Sequence, residues 1–155
     1  EYGEERFAPR ITKKIIESRV SSPLKRTSDL AALVTQVLPK TYSKKHPATK
    51  TFQAIRIYIN DELNQLESAL KGSLEILRSG GRLCVISFHS LEDRIVKRFM
   101  KNASLESEQF RGMPNVPREF QPKLKIIKKS VKASIEEIDR NVRSRSAVLR
   151  VSEKV

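Results

Sequence analysis

Eight apolar residues, Phe52, Ile55, Ile59, Leu63, Leu66, Leu70, Leu74 and Leu77, follow one another at intervals of 3, 4, 4, 3, 4, 4 and 3. Such intervals keep side chains on one stripe of an α-helix, so Thr51 to Arg78 reads as helical. It is either one long helix or two meeting near Asn60-Asp61, where either side chain could cap a restart. Gly72 weakens its interior by about 1 kcal/mol relative to alanine. Gly80-Gly81 stops it, because a left-handed C-cap usually needs glycine. Leu83 to Ile86 then form a continuous apolar run, which predicts a strand buried on both faces, as in parallel sheets. Cys84 reads there as a small buried residue. Ser87, Phe88 and His89 follow, and Ser90 is the expected cap of a further helix, with Asp93 three residues on. Leu91, Ile95, Val96, Phe99 and Met100 make that helix's buried face. Helix, glycine pair, buried strand and capped helix together spell an α/β fold.

Two more helices precede this core. Phe7, Ile11, Ile15, Ile16 and Val20 recur at helical spacing, with Glu1 to Phe7 already helical in pattern, and Ser21-Ser22-Pro23 breaks the run. A second helix starts near Thr27 or Ser28, with Asp29 in its first turn, and ends at Pro39. Lys40 to His46 form a polar basic loop. Beyond the core, residues 102–122 carry Pro114, Pro117 and Pro122 without periodicity and read as a long loop. Leu124, Ile126 and Ile127 suggest a strand, Ser134 with Glu137 a capping box, and Ala147 to Val151 a last strand. The chain opens at Glu1 inside a helical pattern, which leads us to expect a segment of something larger.

Thirty-one Lys and Arg against 18 Asp and Glu leave a formal charge of +13. That excess suits a polyanionic partner, since each neutralised phosphate releases counterions. A missing acidic half would explain it equally well. No apolar run is long enough to span a bilayer. A single cysteine excludes an internal disulfide and a cysteine-rich zinc site, and His46 has no second ligand near it in sequence, so no metal is expected.

Chemistry in open α/β sheets gathers beyond the carboxyl ends of strands, which singles out Ser87, His89 and Ser90. Ser90 would also cap its helix, and Glu92-Asp93-Arg94 is either part of the site or a solvated first turn. Thr49, Lys50, Thr51 and Gln53 crowd polar groups at a helix start suited to a phosphate, though capping explains the threonines too. Arg56 and Asn60 lie four apart, off the apolar stripe. A basic series, Lys123, Lys125, Lys128, Lys129, Lys132, Arg140, Arg143 and Arg145, could follow an RNA backbone or guard an edge strand against aggregation.

Three stretches, His46-Pro47-Ala48-Thr49-Lys50-Thr51-Phe52-Gln53-Ala54-Ile55-Arg56-Ile57, Asn60-Asp61-Glu62-Leu63 and Gly80 through Phe99, closely resemble the ribosomal RNA small subunit methyltransferase H family, MraW/RsmH. Tyr2 to Ala8 and Arg143 to Val151 fit it as well, and the likeness is weakest across 102–122. The resemblance implies the C-terminal half of a class I S-adenosylmethionine-dependent methyltransferase, a Rossmann-like sheet plus an inserted all-α substrate-recognition domain. It places most of the helical domain at 1–60 and the core at 61–155. It further implies cytosine N4-methylation in the decoding region of 16S rRNA, attack by the amine on the cofactor's methyl group, and a cytoplasmic protein acting on the small ribosomal subunit.

On that template Ser87 and His89 are the catalytic candidates, and Ser90, Lys50, Gln53, Arg56 and Asn60 the substrate-binding ones. The family's glycine-rich cofactor turn has no counterpart here, so no cofactor-binding residue is carried over and S-adenosylmethionine binding is expected of the missing N-terminal half. Lys50 stands where arginine is usual, and Val142 and Ser144 where the family tends to proline and alanine. The chain alone is expected to be inactive, and unstable or homodimeric. The rival expectation is a non-catalytic basic RNA-binding or ribosome-associated module.

Overall fold

A computed structural model describes residues 2–39, 46–106, 108–110, 112–117 and 120–155. Most of the expected basic loop, 40–45, and parts of 102–122 therefore lie outside the described residues. The chain divides into two units, Glu1–Glu62 and Leu63–Val155.

The first unit holds α1 (Ala8–Ser21), α2 (Thr27–Val37) and α3 (Thr49–Asn60). Helix α1 begins at Ala8, later than the periodicity suggests. Glu4 takes a left-handed φ of 46°, which no helix accommodates, and Pro9 favours the first turn. Ile11 is buried with Val34, Leu38 and Ala48, and Phe7, Ile15 and Phe52 pack on that cluster. Ile16 and Val20 stay exposed, so only part of the α1 stripe is used. Arg26, not Thr27 or Ser28, is the N-cap of α2. Its turn is closed by Asp29, whose Oδ2 accepts from the Lys25 and Arg26 amides at 3.2 and 3.0 Å.

The long apolar stripe resolves into two helices. Asp61 adopts φ 51°, ψ 36° and terminates α3, and α4 (Glu62–Ile76) restarts at once. Gly80 carries the positive φ of 79° that turns the chain from α4 into β1 (Arg82–Ser87). Helix α5 (Ser90–Ala103), β2 (Leu124–Lys132), α6 (Ile135–Arg140) and β3 (Val148–Lys154) complete the second unit. Its core is Leu70, Val96, Met100 and Leu124, with Leu66, Leu74, Leu83, Val85 and Phe99 around them.

The sheet corrects the expected parallel, doubly buried strand. Strand order is β1-β3-β2 and both pairings are antiparallel. β1 is an edge strand whose Leu83 and Val85 face the core, while Arg82, Cys84 and Ile86 are exposed. Cys84 is thus not buried. An apolar run reports that a strand wants covering on both faces; it carries no information on which strand arrives beside it. Strand β2 slips register between Ile126 and Lys128 and again between Lys128 and Val131. The last helix is capped as expected, with Ser134 accepting from the Glu137 amide.

Candidate functional site

The turn from β1 into α5 is built by its own residues. His89, not Ser90, is the N-cap: its Nδ1 accepts from the Glu92 amide at 3.3 Å. Glu92 returns the favour, its Oε2 accepting from the Phe88 and His89 amides at 2.8 and 3.3 Å. Three amide N–H groups at the helix start are thereby satisfied. Acceptance at Nδ1 assigns the proton of neutral His89 to Nε2. That nitrogen is buried and lies 3.2 Å from Glu92 Oε1, close but off the line a hydrogen bond needs, so it has no hydrogen-bond partner among the described residues. Ser90 is the first helical residue and exposed, and Phe88 beside it is 54% exposed.

Ser87 turns inward. Only 3% exposed, its hydroxyl lies 3.3 Å from the Val148 carbonyl and 3.4 Å from Asp93 Oδ1. Asp93 receives a two-pronged contact from Arg150 on β3, Nε to Oδ1 and Nη2 to Oδ2, both at 2.8 Å. The guanidinium holds the Asp93 carboxyl below its usual range, outweighing the opposing effect of burial. Arg150 Nη1 donates to the Lys129 carbonyl, which the second register slip of β2 turns toward it. Ser87, Asp93 and Arg150 thus clamp β1, α5 and β3 around the carboxyl end of β1. Asp93 was visible in sequence only as the residue three after the expected Ser90 cap and as part of a charged trio, and nothing in the spacing announces a partner 57 residues away.

The remaining candidates lie on α3 in the first unit. Lys50 Nζ donates to the Glu4 carbonyl at 3.1 Å, and Gln53 is half-buried one turn on. Arg56 binds Glu62 through Nε and Nη2 at 2.7 and 3.0 Å, and Asn60 reaches the same carboxylate at 3.3 Å. Arg56 and Asn60 do share a face, and what gathers them is the glutamate that opens α4. Thr49 caps nothing with its hydroxyl, which donates to the His46 carbonyl at 2.7 Å.

No described helix is long and apolar enough to cross a membrane. A profile of the MraW methylase family matches residues 1–155. The chain is similar to the ribosomal RNA small subunit methyltransferase H of Caldicellulosiruptor bescii, 52% identical over all of this chain and 51% of that protein. The protein of the same name from Hamiltonella defensa subsp. Acyrthosiphon pisum is 48% identical over 99% of this chain and 50% of its own length. That of Xanthomonas oryzae pv. oryzae is 51% identical over 99% of the chain and 45% of its own length. The chain spans about half the length of these relatives.

Proposed function

The chain belongs to the MraW methylase family, and from that premise we propose that it supplies the second half of an S-adenosylmethionine-dependent enzyme that N4-methylates a cytidine in the decoding region of 16S rRNA. The observation that carries this reading is a family match over every residue of a chain half as long as its relatives. Its partner is the small ribosomal subunit, and its place is therefore the cytoplasm.

S-adenosylmethionine would supply the methyl group, but the residues present do not fit a cradle for it. Gly80 and Gly81 are spent on hydrogen bonds that fasten the α4–β1 turn to Lys154, and no described turn offers the glycine-lined approach a sulfonium nucleoside needs. The cofactor site is assigned to the half outside this chain. In the same reading the open edge of β1, which has no strand beside it among the described residues, is where the sheet continues into that half and becomes Rossmann-like.

What this chain contributes to chemistry is a held rim. Ser87, His89 and Ser90 stand at the carboxyl end of β1, where the target amine must lose a proton as it gains a methyl group. The His89 Nε2–H, buried and without a hydrogen-bond partner among the described residues, is placed to donate to the incoming base at that rim; with its proton there the neutral imidazole does not take the amine's proton, whose acceptor belongs to the rest of the enzyme. Ser87 acts through the clamp with Asp93 and Arg150. Lys50, Gln53, Arg56 and Asn60 are assigned to RNA. Arg56 and Asn60 would exchange Glu62 for a phosphate.

The complete protein, incubated with labelled S-adenosylmethionine and unmodified small subunits, should yield N4-methylcytidine on nucleoside analysis. The 155-residue chain should yield none and bind no S-adenosylmethionine by calorimetry. Absence of methyl transfer by the complete protein would sink the reading. It would favour the second one, a non-catalytic basic RNA-binding module, which the +13 charge alone also suits.

A further inference from the structure

Helix α5 and strand β2 enclose a cavity of about 340 Å³. Its floor is apolar, from Met100, Leu105 and Ile126. Lys97 and Lys101, one helical turn apart on α5, Lys128 and Lys129 on β2, and Arg150 on β3 line the rest of it, largely through their apolar stems. Strict alternation would send Lys128 and Lys129 to opposite faces of β2. A register slip falls between Lys128 and Val131, and both Lys128 and Lys129 line the one cavity. No acidic residue lines it among the described residues. Arg150 is neutralised by Asp93, whose carboxylate Lys97 also feels from one helical turn on, while among the described residues Lys101, Lys128 and Lys129 have no ion-pair partner.

Lys97 and Lys101 at i and i+4 repel slightly on their own helix, which Asp93 one turn before Lys97 offsets in part. Guarding an edge strand does not require this, since lysines spread along β2 would serve without helix lysines facing them. A ligand does require it. A cavity at the small end of the range for small-molecule sites has room for one flat heterocycle, with anionic groups outside it. Single-stranded RNA offers that combination: a base that can leave the stack, with a phosphate on either side.

We propose that this cavity anchors one splayed nucleotide of single-stranded small-subunit RNA, its base on the Met100–Leu105–Ile126 floor and its flanking phosphates on Lys97, Lys101, Lys128 and Lys129. The proposal rests on the reading of the chain as part of an RNA methylase. The anchor holds the strand while a different nucleotide is modified, so it sets affinity and KM more than the methyl-transfer step.

The test uses the complete protein with S-adenosylmethionine and a single-stranded segment of small-subunit RNA, its Kd followed against salt. Lys101→Gln with Lys128→Gln should weaken binding roughly tenfold and reduce the salt slope by about 1.4, at about 0.7 per phosphate contact on a single strand. Leu105→Glu, at a side chain 55% exposed, should weaken binding without lowering the melting temperature. Lys101→Arg with Lys128→Arg should restore the slope, and thiouridine-labelled RNA should cross-link to the peptide bearing Leu105. Wild-type affinity and slope in the glutamine pair or in Leu105→Glu overturns the proposal. So does a defect confined to phosphatidylglycerol vesicles, which would assign the cavity to lipid. Methylation by the wild type separates the two failures. With methylation intact and the variants binding normally, only the anchor falls; without methylation the enzymatic reading falls as well.

Discussion

Asp93 is held by two charge-assisted hydrogen bonds from the guanidinium of Arg150, whose side chain is only 12% exposed. Since the Arg150 contact depresses the Asp93 pKa in the folded protein, the pair's contribution is fully present above the unfolded carboxyl value, about 3.9. It is lost as pH falls through the lower, folded value. Stability of the second unit should therefore decline below about pH 4, and Asp93→Asn should flatten that acid limb. The same substitution should cost about 2 kcal/mol at neutral pH in chemical denaturation, because Arg150 would keep a buried charge without its counterion. An Asp93→Asn protein of unchanged stability would reduce the clamp to an incidental contact. His89 calls for a different substitution, because it caps α5 as well as standing at the rim. His89→Ala in the complete enzyme should lower methyl transfer, but it also removes a cap worth about 1 kcal/mol. His89→Asn keeps a capping oxygen and loses the imidazole. Methyl transfer should fall in both, with the melting temperature preserved only in the asparagine variant. Full rates in His89→Asn would leave His89 a cap and nothing more.

The turn at Gly80-Gly81 shows how unequal glycines are. The Gly80 amide donates to the Lys154 carbonyl and the Lys154 amide to the Gly81 carbonyl, both at 2.8 Å, so this turn locks the start of β1 to the end of β3. Gly80→Ala meets no atom but forces a side chain into φ 79°, about 1 kcal/mol. Gly81→Ala puts a Cβ 2.8 Å from the Arg78 carbonyl oxygen, so the backbone must shift, at about 2 kcal/mol. Gly72→Ala, in the interior of α4 with nothing within 4 Å, should instead stabilise by about 1 kcal/mol. Urea denaturation of the three should give that order and that change of sign. These elements were legible because period and punctuation are local properties: the stripe and the Ser134 cap are written within a few residues, whereas the break near Asp61 was one of two readings and α4 ends at Ile76, ahead of the glycine pair. The direction of strand pairing was not. β1 lies antiparallel to a strand that starts 61 residues after it ends, and no local pattern encodes that neighbour. The Asp93–Arg150 clamp was illegible for the same reason. The cap at His89 was missed differently, since imidazole Nδ1 can replace the Ser or Asp oxygen that capping rules look for. The β2 register slips leave no mark in composition.

Across the second unit, charge and apolar surface pull in opposite directions. β1 offers an open edge, and Ile86 and Phe88 at its carboxyl end are 57% and 54% exposed. An exposed edge beside exposed apolar side chains is a template for a second strand. Two copies of the 155-residue chain can satisfy it by pairing β1 with β1 antiparallel about a twofold axis. A formal charge of +13 resists that approach, and the resistance weakens as salt shortens the screening length. The isolated chain should therefore dimerise more readily at about 1 M salt than at about 0.1 M, the reverse of an association built on ion pairs. Ile86→Lys should abolish the dimer at either salt, by placing a charge on the pairing strand. If the sheet continues across β1 in the complete protein, as proposed, the salt dependence should vanish there. Sedimentation equilibrium under reducing conditions, which keep the exposed Cys84 from cross-linking copies, reads all three states. An isolated chain that stays monomeric at high salt and melts cooperatively would mean that the edge is closed by its own residues, and that the sheet needs no other half to continue it.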